Sequence, residues 1–212
     1  MQTARSRKDK APSRIALVRV GIDQAFGGWN APVDPVTGDF VYVPIPESEP
    51  FGLGLATPYS HVLPALAYFA AAHPDANRKH VTLPEALADS GMHLDPDFGN
   101  LSYGDNGIRR GSGIAEFERG DVLVFYAGLR PVSPCDHRLI YAIIGFYRVA
   151  AVERAGDVGN TRWRENAHTR RLRPTPTDIV VRAEPVESGR LRRCIPVGEL
   201  RDKSYRVRRD LL

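Results

Sequence analysis

Residues 119–149 read RGDVLVFYAGLRPVSPCDHRLIYAIIGFYRV. A Gly-Asp turn precedes a first apolar run, Val122–Tyr126, and a second, longer run, Leu139–Val149, follows a loop rich in Pro, Ser and Asp. Neither run alternates cleanly between apolar and polar residues, which is typical of strands covered on both faces. We therefore predict a hairpin of two strands at the centre of a barrel or a sandwich.

The rest of the chain predicts shorter elements around this hairpin. Further strands are expected at Ile15–Val20, Phe40–Pro44, Asp178–Ala183 and Cys194–Val197, and helices from Ser60 to about Ala72 and at Leu83–Asp89. Because the strands come largely in hairpins, we predict an α+β fold with a mainly antiparallel, barrel-like core and a few helices inserted before the central pair. Residues 1–13 are expected to be a disordered basic lead-in, and residues 14–212 a single domain.

Composition narrows the class of protein. Of the 212 residues 42% are hydrophobic, which allows a sizeable core, but no apolar run reaches the roughly 20 residues that cross a bilayer. The two cysteines, Cys135 and Cys194, stand outside any CxxC pattern, so neither a disulfide framework nor a structural zinc site is expected. We predict a cytoplasmic protein that does not associate with a membrane.

Positive charge is concentrated toward the carboxyl terminus. Residues 161–212 contain 14 basic residues, 13 of them arginine, against seven acidic ones, whereas residues 1–160 contain 15 basic and 18 acidic residues. The planar guanidinium suits phosphate and guanine edges, which makes nucleic acid the partner to expect. The alternative is a solvated arginine face that reflects the codon bias of a GC-rich genome.

The first candidate site follows the first predicted strand, where Asp23 precedes Gly27, Gly28 and Asn30. Glycines let a backbone approach a ligand closely, and the Asp23 carboxylate can accept hydrogen bonds or bind an ion. The nucleotide-binding patterns GxGxxG and GxxxxGK[ST] are absent from the chain. Asp23 is therefore a candidate catalytic residue, and the alternative is a tight loop in which its side chain bonds to its own backbone.

The second candidate site is the segment HLDPD, which contains His93, Asp95 and Asp97 and is followed by Tyr103 and Asp105. Alternate side chains of an extended chain project from a common side, so one imidazole and two carboxylates can act together. Such a set suits general acid–base catalysis, and it leaves a divalent metal possible as the cofactor. The alternative is an ordinary Asp-Pro turn.

The third candidate site is a basic segment that could contact nucleic acid. Asn can read a base edge with two hydrogen bonds, Arg can bind phosphate or guanine, and aromatic rings can stack on a base. The residues expected to bind a base or nucleic acid are Asn166, His168, Arg170, Arg171, Tyr103 and Tyr126. The alternative is a charged surface turn beside core aromatic residues.

Two resemblances fit these residues. The pair GDVLVFY and YAIIGFYRV resembles the hairpin of PUA-like, ASCH and EVE barrels, which hold a modified or flipped base. Residues 14–200 resemble the nucleotide-modification-associated domain proteins of the third type, which are connected with DNA base hypermodification. The motifs that carry this second resemblance are Val20–Asp23 with Gly27-Gly28 and Ala31-Pro32, Pro44–Pro46, His93–Asp97 and Gly120–Tyr126.

The resemblance implies a DNA base-modification system of a bacterium or phage, with DNA or a nucleotide as partner and other proteins of the system as further partners. Three functions remain open, and one of them is a non-catalytic subunit whose arginine surface binds a partner protein. The other two act on a base or nucleotide. In the first, the protein binds a nucleotide or modified base against the aromatic wall of the hairpin. In the second, it is an enzyme that processes a base or nucleotide through Asp23, His93, Asp95 and Asp97, with or without a divalent metal.

Overall fold

The central strand pair expected from residues 119–149 forms the middle of the fold in the computed structural model, which describes residues 12–52, 54–201 and 204–209. The strands are β1 (Ile15–Arg19), β2 (Pro32–Val33), β3 (Ile45–Pro46), β4 (Met92–His93), β5 (Ser102–Asp105), β6 (Val122–Pro131), β7 (Ile140–Arg154), β8 (Ile179–Ala183), β9 (Gly189–Arg201) and β10 (Ser204–Val207). The α-helices are α1 (Leu63–Ala72), α2 (Arg78–Val81), α3 (Arg110–Ile114) and α4 (Ala167–Arg170).

Strand β7 organises the sheet because it pairs with β6, β8 and β9, all antiparallel. The main path of the sheet runs β1-β6-β7-β8-β5, while β2 joins β6 and β10 joins β9. Strands β1 and β2 lie parallel to β6. The predicted α+β class is confirmed, but the predicted barrel is not, because the end strands β1 and β5 do not pair with each other in the described residues and the sheet stays open.

The core lies against this central pair. Leu123 and Phe125 of β6 and Tyr147 of β7 are completely buried, whereas Phe146 keeps 41% of its surface exposed, so the face of β7 that carries it is only partly covered. The rings of Phe98, Phe125 and Tyr147 meet edge to face, with centroids 4.8–5.9 Å apart. This packing anchors the loop that carries Phe98 to the sheet, and the HLDPD segment immediately precedes that loop.

Several predicted elements differ from the observed ones. The helix expected from Ser60 begins as a 3-10 turn, Tyr59–Val62, and continues as α1. The helix expected at Leu83–Asp89 is only a 3-10 turn, Glu85–Leu87, because Thr82 is extended and ends α2 instead of capping a new helix. Of the strand expected at Phe40–Pro44, the structure has a bridge from Phe40 to Val33 in otherwise irregular chain.

The chain termini bear on two further expectations. Residues 1–11 of the predicted basic lead-in lie outside the described residues, whereas Ser13 donates a 2.7 Å hydrogen bond to the carboxylate of Asp121. None of the helices in the described part of the chain is long and apolar enough to cross a membrane.

Candidate functional site

Two of the segments singled out in the sequence meet in space. Strand β4 pairs with β3, and this pairing places His93 opposite Ile45. Helix α4 begins at the N-cap Asn166, whose side chain accepts from the backbone N–H of His168. Asn166 Nδ2 also donates to Asp95 Oδ1 at 3.1 Å, across 71 residues of chain. The HLDPD segment and the start of α4 therefore form one site.

The centre of this site is a series of alternating carboxylates and imidazoles, which we call the His–Asp cluster (Glu47, His93, Asp95, His168 and Asp178). Glu47 Oε2 lies 2.5 Å from His93 Nδ1, and His93 Nε2 lies 3.3 Å from Asp95 Oδ2. The same Asp95 oxygen lies 3.3 Å from His168 Nε2, and His168 Nδ1 lies 3.3 Å from Asp178 Oδ2. None of the five side chains is more than 9% exposed.

The electrostatics of the cluster favour charge on its members. Burial alone would lower the pKa of His93, but its hydrogen bonds to Asp95 and Glu47 raise that pKa to about 9. Burial alone would likewise lower the pKa of His168, but its bonds to Asp178 and Asp95 raise it. Burial would raise the pKa of Asp95, but the hydrogen bonds from both imidazoles lower it to about 2. Positive charge between the carboxylates is therefore favourable.

The second oxygen of Asp95 is held by the neighbouring strand. The backbone N–H of Gly104 donates to Asp95 Oδ1, the atom that also accepts from Asn166 Nδ2. A Cβ atom on Gly104 would lie 2.3 Å from His168 Cδ2 and 2.4 Å from Asn166 Oδ1. The position thus requires glycine, and the close approach of β5 fixes which Asp95 oxygen faces the imidazoles.

Asp97 does not join the cluster, although it lies in the same segment. Its Oδ1 accepts from the backbone N–H groups of Gly99 and Asn100, which closes a turn. Its Oδ2 lies 2.8 Å from Arg170 Nη2 in an ion pair whose side chains are both 8% exposed. Arg170 Nε also donates to the carbonyl of Arg164 at 2.8 Å. This pair joins the turn to α4 and so holds the two segments together.

Arg171 lies beside the outer carboxylates of the cluster. Its Nη1 is 3.2 Å from Asp178 Oδ2 and 3.3 Å from His168 Nδ1, and its Nη2 is 3.7 Å from Glu47 Oε1. Its side chain is 10% exposed, and its buried Nε has no hydrogen-bond partner in the described residues. The guanidinium therefore compensates part of the negative charge of Glu47 and Asp178.

The Asp23 loop makes its own hydrogen bonds. Asp23 Oδ1 accepts from the backbone N–H groups of Ala25 and Phe26, and Oδ2 forms a 2.8 Å ion pair with Arg19. These contacts match the alternative in which Asp23 organises its own loop, and none of them reaches the His–Asp cluster.

The other residues of the first candidate site stabilise the same loop. Gly27 and Gly28 have φ angles of 98° and 69°, in the left-handed region that favours glycine. Asn30 is buried and donates to the carbonyl of Gly128 at 2.8 Å. The loop does pass near the cluster, since a Cβ on Gly27 would lie 3.3 Å from a ring carbon of Pro46, the neighbour of Glu47.

The two tyrosines predicted to contact a base have different surroundings. Tyr103 is buried, its ring packs against Phe125, and its hydroxyl donates to Asp105 at 2.9 Å. Tyr126 is half-buried, and its ring centroid lies 6.0 Å from that of Tyr141. Tyr103 therefore packs in the core, whereas Tyr126 lies beside Tyr141.

Three members of the site were not singled out by the sequence. Glu47 lies in a Pro-rich irregular segment, Asp178 ends a polar loop before a strand, and Gly104 is one of 19 glycines. No local pattern distinguishes them, because their roles depend on contacts with distant residues. The sequence did single out the two His-containing segments of the site. Neither segment alone indicates that the two lie together in the fold.

Comparison with known proteins places the chain in a family. The family described as "nucleotide modification associated domain 3" matches residues 14–210, almost the whole chain. No curated protein and no solved structure matches. The chain that carries the His–Asp cluster therefore belongs to the nucleotide modification associated domain 3 family.

Proposed function

We propose that this protein is an enzyme of a nucleotide-modification system, and that it processes a base or nucleotide at the His–Asp cluster. The observation that carries the proposal is the convergence of His93, Asp95 and His168 in one buried group built from two distant segments. Family membership supports this biological setting, because the family is described as a nucleotide modification associated domain.

The cluster is costly as a purely structural device. Removing charged groups from water carries a penalty that their mutual attraction offsets only in part, and apolar residues often stabilise a core at least as well. Buried ionisable groups with strongly shifted pKa values concentrate at functional sites. Imidazoles held against carboxylates can give and take protons, which is the chemistry of general acid–base catalysis. A reactive role therefore explains the cluster better than a stabilising one.

The finer setting follows from the family resemblance and from charge. We propose that the substrate is DNA or a nucleotide destined for DNA, in the cytoplasm of a bacterium or of a phage-infected cell. The exposed arginines of β9, Arg190, Arg192 and Arg193, supply positive charge for such an anionic partner. Other proteins of the modification system would supply or consume the product.

The proposal is tested by following nucleotides directly. The purified protein is incubated with plasmid DNA and with single nucleotides, with the small-molecule fraction of a bacterial lysate as the source of co-substrates, and nucleosides are quantified by mass spectrometry. We expect at least one nucleoside to change in mass or amount, and His93→Gln and Asp95→Asn to reduce the rate by at least about 100-fold.

The matched control is His137→Gln, since His137 also pairs with a glutamate, Glu199 at 3.1 Å, but lies outside the cluster. It should keep the rate of the wild type. Unchanged nucleosides with the wild-type protein, or full activity of both cluster variants, would contradict the enzymatic function.

A second function, binding of nucleic acid without reaction, is favoured by the arginines of β9. They are exposed, whereas Arg170 and Arg171 are buried in ion pairs and have little surface for phosphate. In this function the protein would hold a modified base for other proteins of the system. The place of binding would then be the surface of β9 and not the start of α4.

For this binding function we expect Arg192→Ala combined with Arg193→Ala to weaken binding to a fluorescent DNA duplex. Each lost phosphate contact should reduce the slope of log affinity against log salt by about 0.9. Fluorescence anisotropy across a salt series measures both quantities. Arg162→Ala, which removes an exposed arginine of the Glu153 ion pair, is the control. An unchanged slope in the β9 variant would exclude this surface.

A further inference from the structure

We propose that the His–Asp cluster binds one divalent first-row transition-metal ion, held by His93 Nε2, Asp95 Oδ2 and His168 Nε2. The inference rests on the proposed function for the chemical role of the ion, whereas its test is metal binding itself. The ligand set is not the one expected from the sequence, because it takes His168 from the other segment and leaves out Asp23 and Asp97.

The spacing of the three ligand atoms fits a metal. They all lie within 4.8 Å of one another, and each histidine nitrogen is 3.3 Å from the shared Asp95 oxygen. Two ligands at about 2.0–2.1 Å from a tetrahedral ion are separated by roughly 3.3–3.4 Å. Each nitrogen–oxygen distance thus equals the separation of two ligands of one tetrahedral ion.

The outer ring nitrogens provide the second argument. Both ring nitrogens of His93 face carboxylate oxygens, Glu47 on one side and Asp95 on the other. A neutral imidazole has one donor and one acceptor, so it satisfies both only if it is protonated or if a cation replaces the inner proton. Histidine ligands of metals characteristically donate their second N–H to a carboxylate, as Glu47 allows.

His168 has the same arrangement with one addition. Its Nδ1 faces Asp178 Oδ2 at 3.3 Å, and Arg171 Nη1 lies 3.2 Å from that oxygen. Arg171 Nη1 also lies 3.3 Å from Nδ1 itself, and both nitrogens are donors when Nδ1 carries the proton. The carboxylate has lone pairs for both donors, so the Nδ1 proton and Arg171 can share it. The Nε2 lone pair of His168 is then directed toward Asp95, where the metal would lie.

Asp95 is oriented for single-oxygen binding. Its Oδ1 accepts from Gly104 N–H and Asn166 Nδ2, which leaves Oδ2 for the ion. Such hydrogen bonds to the second oxygen fix the direction of a ligating carboxylate. The site therefore contains the three inner ligands together with the groups that orient each of them.

Charge and ligand type indicate the kind of ion. With both imidazoles neutral, the carboxylates of Glu47, Asp95 and Asp178 exceed the charge of Arg171 by two, which a divalent cation neutralises. Two imidazoles favour zinc, iron or cobalt over magnesium or calcium, which prefer oxygen ligands. Two histidines and one carboxylate also leave coordination positions for water or substrate.

The test uses the full chain after removal of metal with a chelator. Titration with Co²⁺, followed by its visible absorption, and with Zn²⁺, followed by calorimetry, should show one equivalent bound, whereas Mg²⁺ should not compete. We expect His168→Ala to weaken Co²⁺ and Zn²⁺ binding by at least about 100-fold, and Glu47→Gln by about 10- to 100-fold. His137→Ala should bind like the wild type.

The outcomes separate this inference from the proposed function. The metal site would be overturned if the wild-type protein took up no stoichiometric Co²⁺ or Zn²⁺. It would also be overturned if folded Glu47→Gln and His168→Ala variants both bound these ions as tightly as the wild type. If His168→Ala does not fold, the titrations of the wild type and of Glu47→Gln still test the metal site. Nucleotide turnover by a chelated protein that takes up no Co²⁺ or Zn²⁺ would keep the enzymatic function and reject the metal site, whereas metal binding without turnover would do the reverse.

Discussion

Gly104→Ala should disrupt the site severely, because the added methyl group has no room there. The new Cβ would lie 2.3 Å from His168 Cδ2 and 2.4 Å from Asn166 Oδ1, both far inside van der Waals contact. His168 has little freedom to withdraw, because carboxylates hold both of its ring nitrogens. We expect the free energy of unfolding to fall by about 1–3 kcal/mol, as measured by urea denaturation.

The same substitution should also impair the function of the site. Displacement of His168 or of β5 would move a ligand atom or break the Gly104 N–H bond to Asp95. We therefore expect Co²⁺ uptake and nucleotide turnover to be lost together in Gly104→Ala protein that is still folded at low temperature.

Gly113→Ala is the matched control, since Gly113 lies in α3 and a Cβ there would meet nothing within 4 Å. Alanine is favoured over glycine in helices by roughly 0.5–1 kcal/mol, so this variant should be at least as stable as the wild type. Equal stability and equal Co²⁺ uptake in both alanine variants would show that β5 does not constrain the cluster as the structure indicates.

The parts of the site that the sequence predicted are those with local signals. The His93–Asp97 segment and the segment beginning at Asn166 both stood out through their residue types, and both contribute to the cluster. Their partnership was not predictable, because the sheet pairing β5 with β8 brings them together across about seventy residues of chain. Alternation along an extended chain also grouped Asp97 with Asp95, whereas the turn to Gly99 and Asn100 directs Asp97 toward Arg170.

In the fold, too, features that depend on local sequence were predictable, whereas features that depend on contacts between distant residues were not. The apolar runs on either side of the 132–139 loop predicted β6 and β7 well, because a buried strand needs an unbroken apolar sequence. Closure of the sheet was not predictable in this way, since it depends on the pairing of the end strands. Strands β2 and β3 have two residues each, which is too short to show a hydrophobic periodicity in the sequence.

The arginine-rich segments illustrate why composition alone does not show which surface an arginine faces. The basic surplus after residue 160 predicted that Arg170 and Arg171 face nucleic acid, but both guanidinium groups are turned inward to carboxylates of the site. A guanidinium is suited equally to phosphate and to carboxylate. Which of the two it meets depends on where Asp97 and Asp178 lie, and only the fold determines that.

Asp97→Ala should cost about 3–5 kcal/mol of unfolding free energy, because it leaves the buried Arg170 guanidinium without its carboxylate. The Arg170 guanidinium would keep its hydrogen bond to the carbonyl of Arg164, and the turn at Gly99 and Asn100 would lose its acceptor.

Arg170→Met should cost less than Asp97→Ala, since Asp97 would keep three hydrogen bonds, from the backbone N–H groups of Gly99 and Asn100 and from Asn100 Nδ2. An acceptor that keeps its donors avoids most of the penalty for an unpaired buried group. The double variant should then cost less than the sum of the two single ones, by an amount that measures the coupling between the two side chains.

Arg162→Ala provides the comparison at the surface, where the Arg162–Glu153 pair has side chains 44% and 36% exposed. Exposed ion pairs contribute about 0–1 kcal/mol, so this loss should be small. Denaturant unfolding of the four variants at one pH and salt concentration would establish the order. A cost for Asp97→Ala no larger than that for Arg162→Ala would mean that the 2.8 Å pair does not hold the HLDPD turn to α4. The bonds of Asn166 and Gly104 to Asp95 would then join the two segments without it.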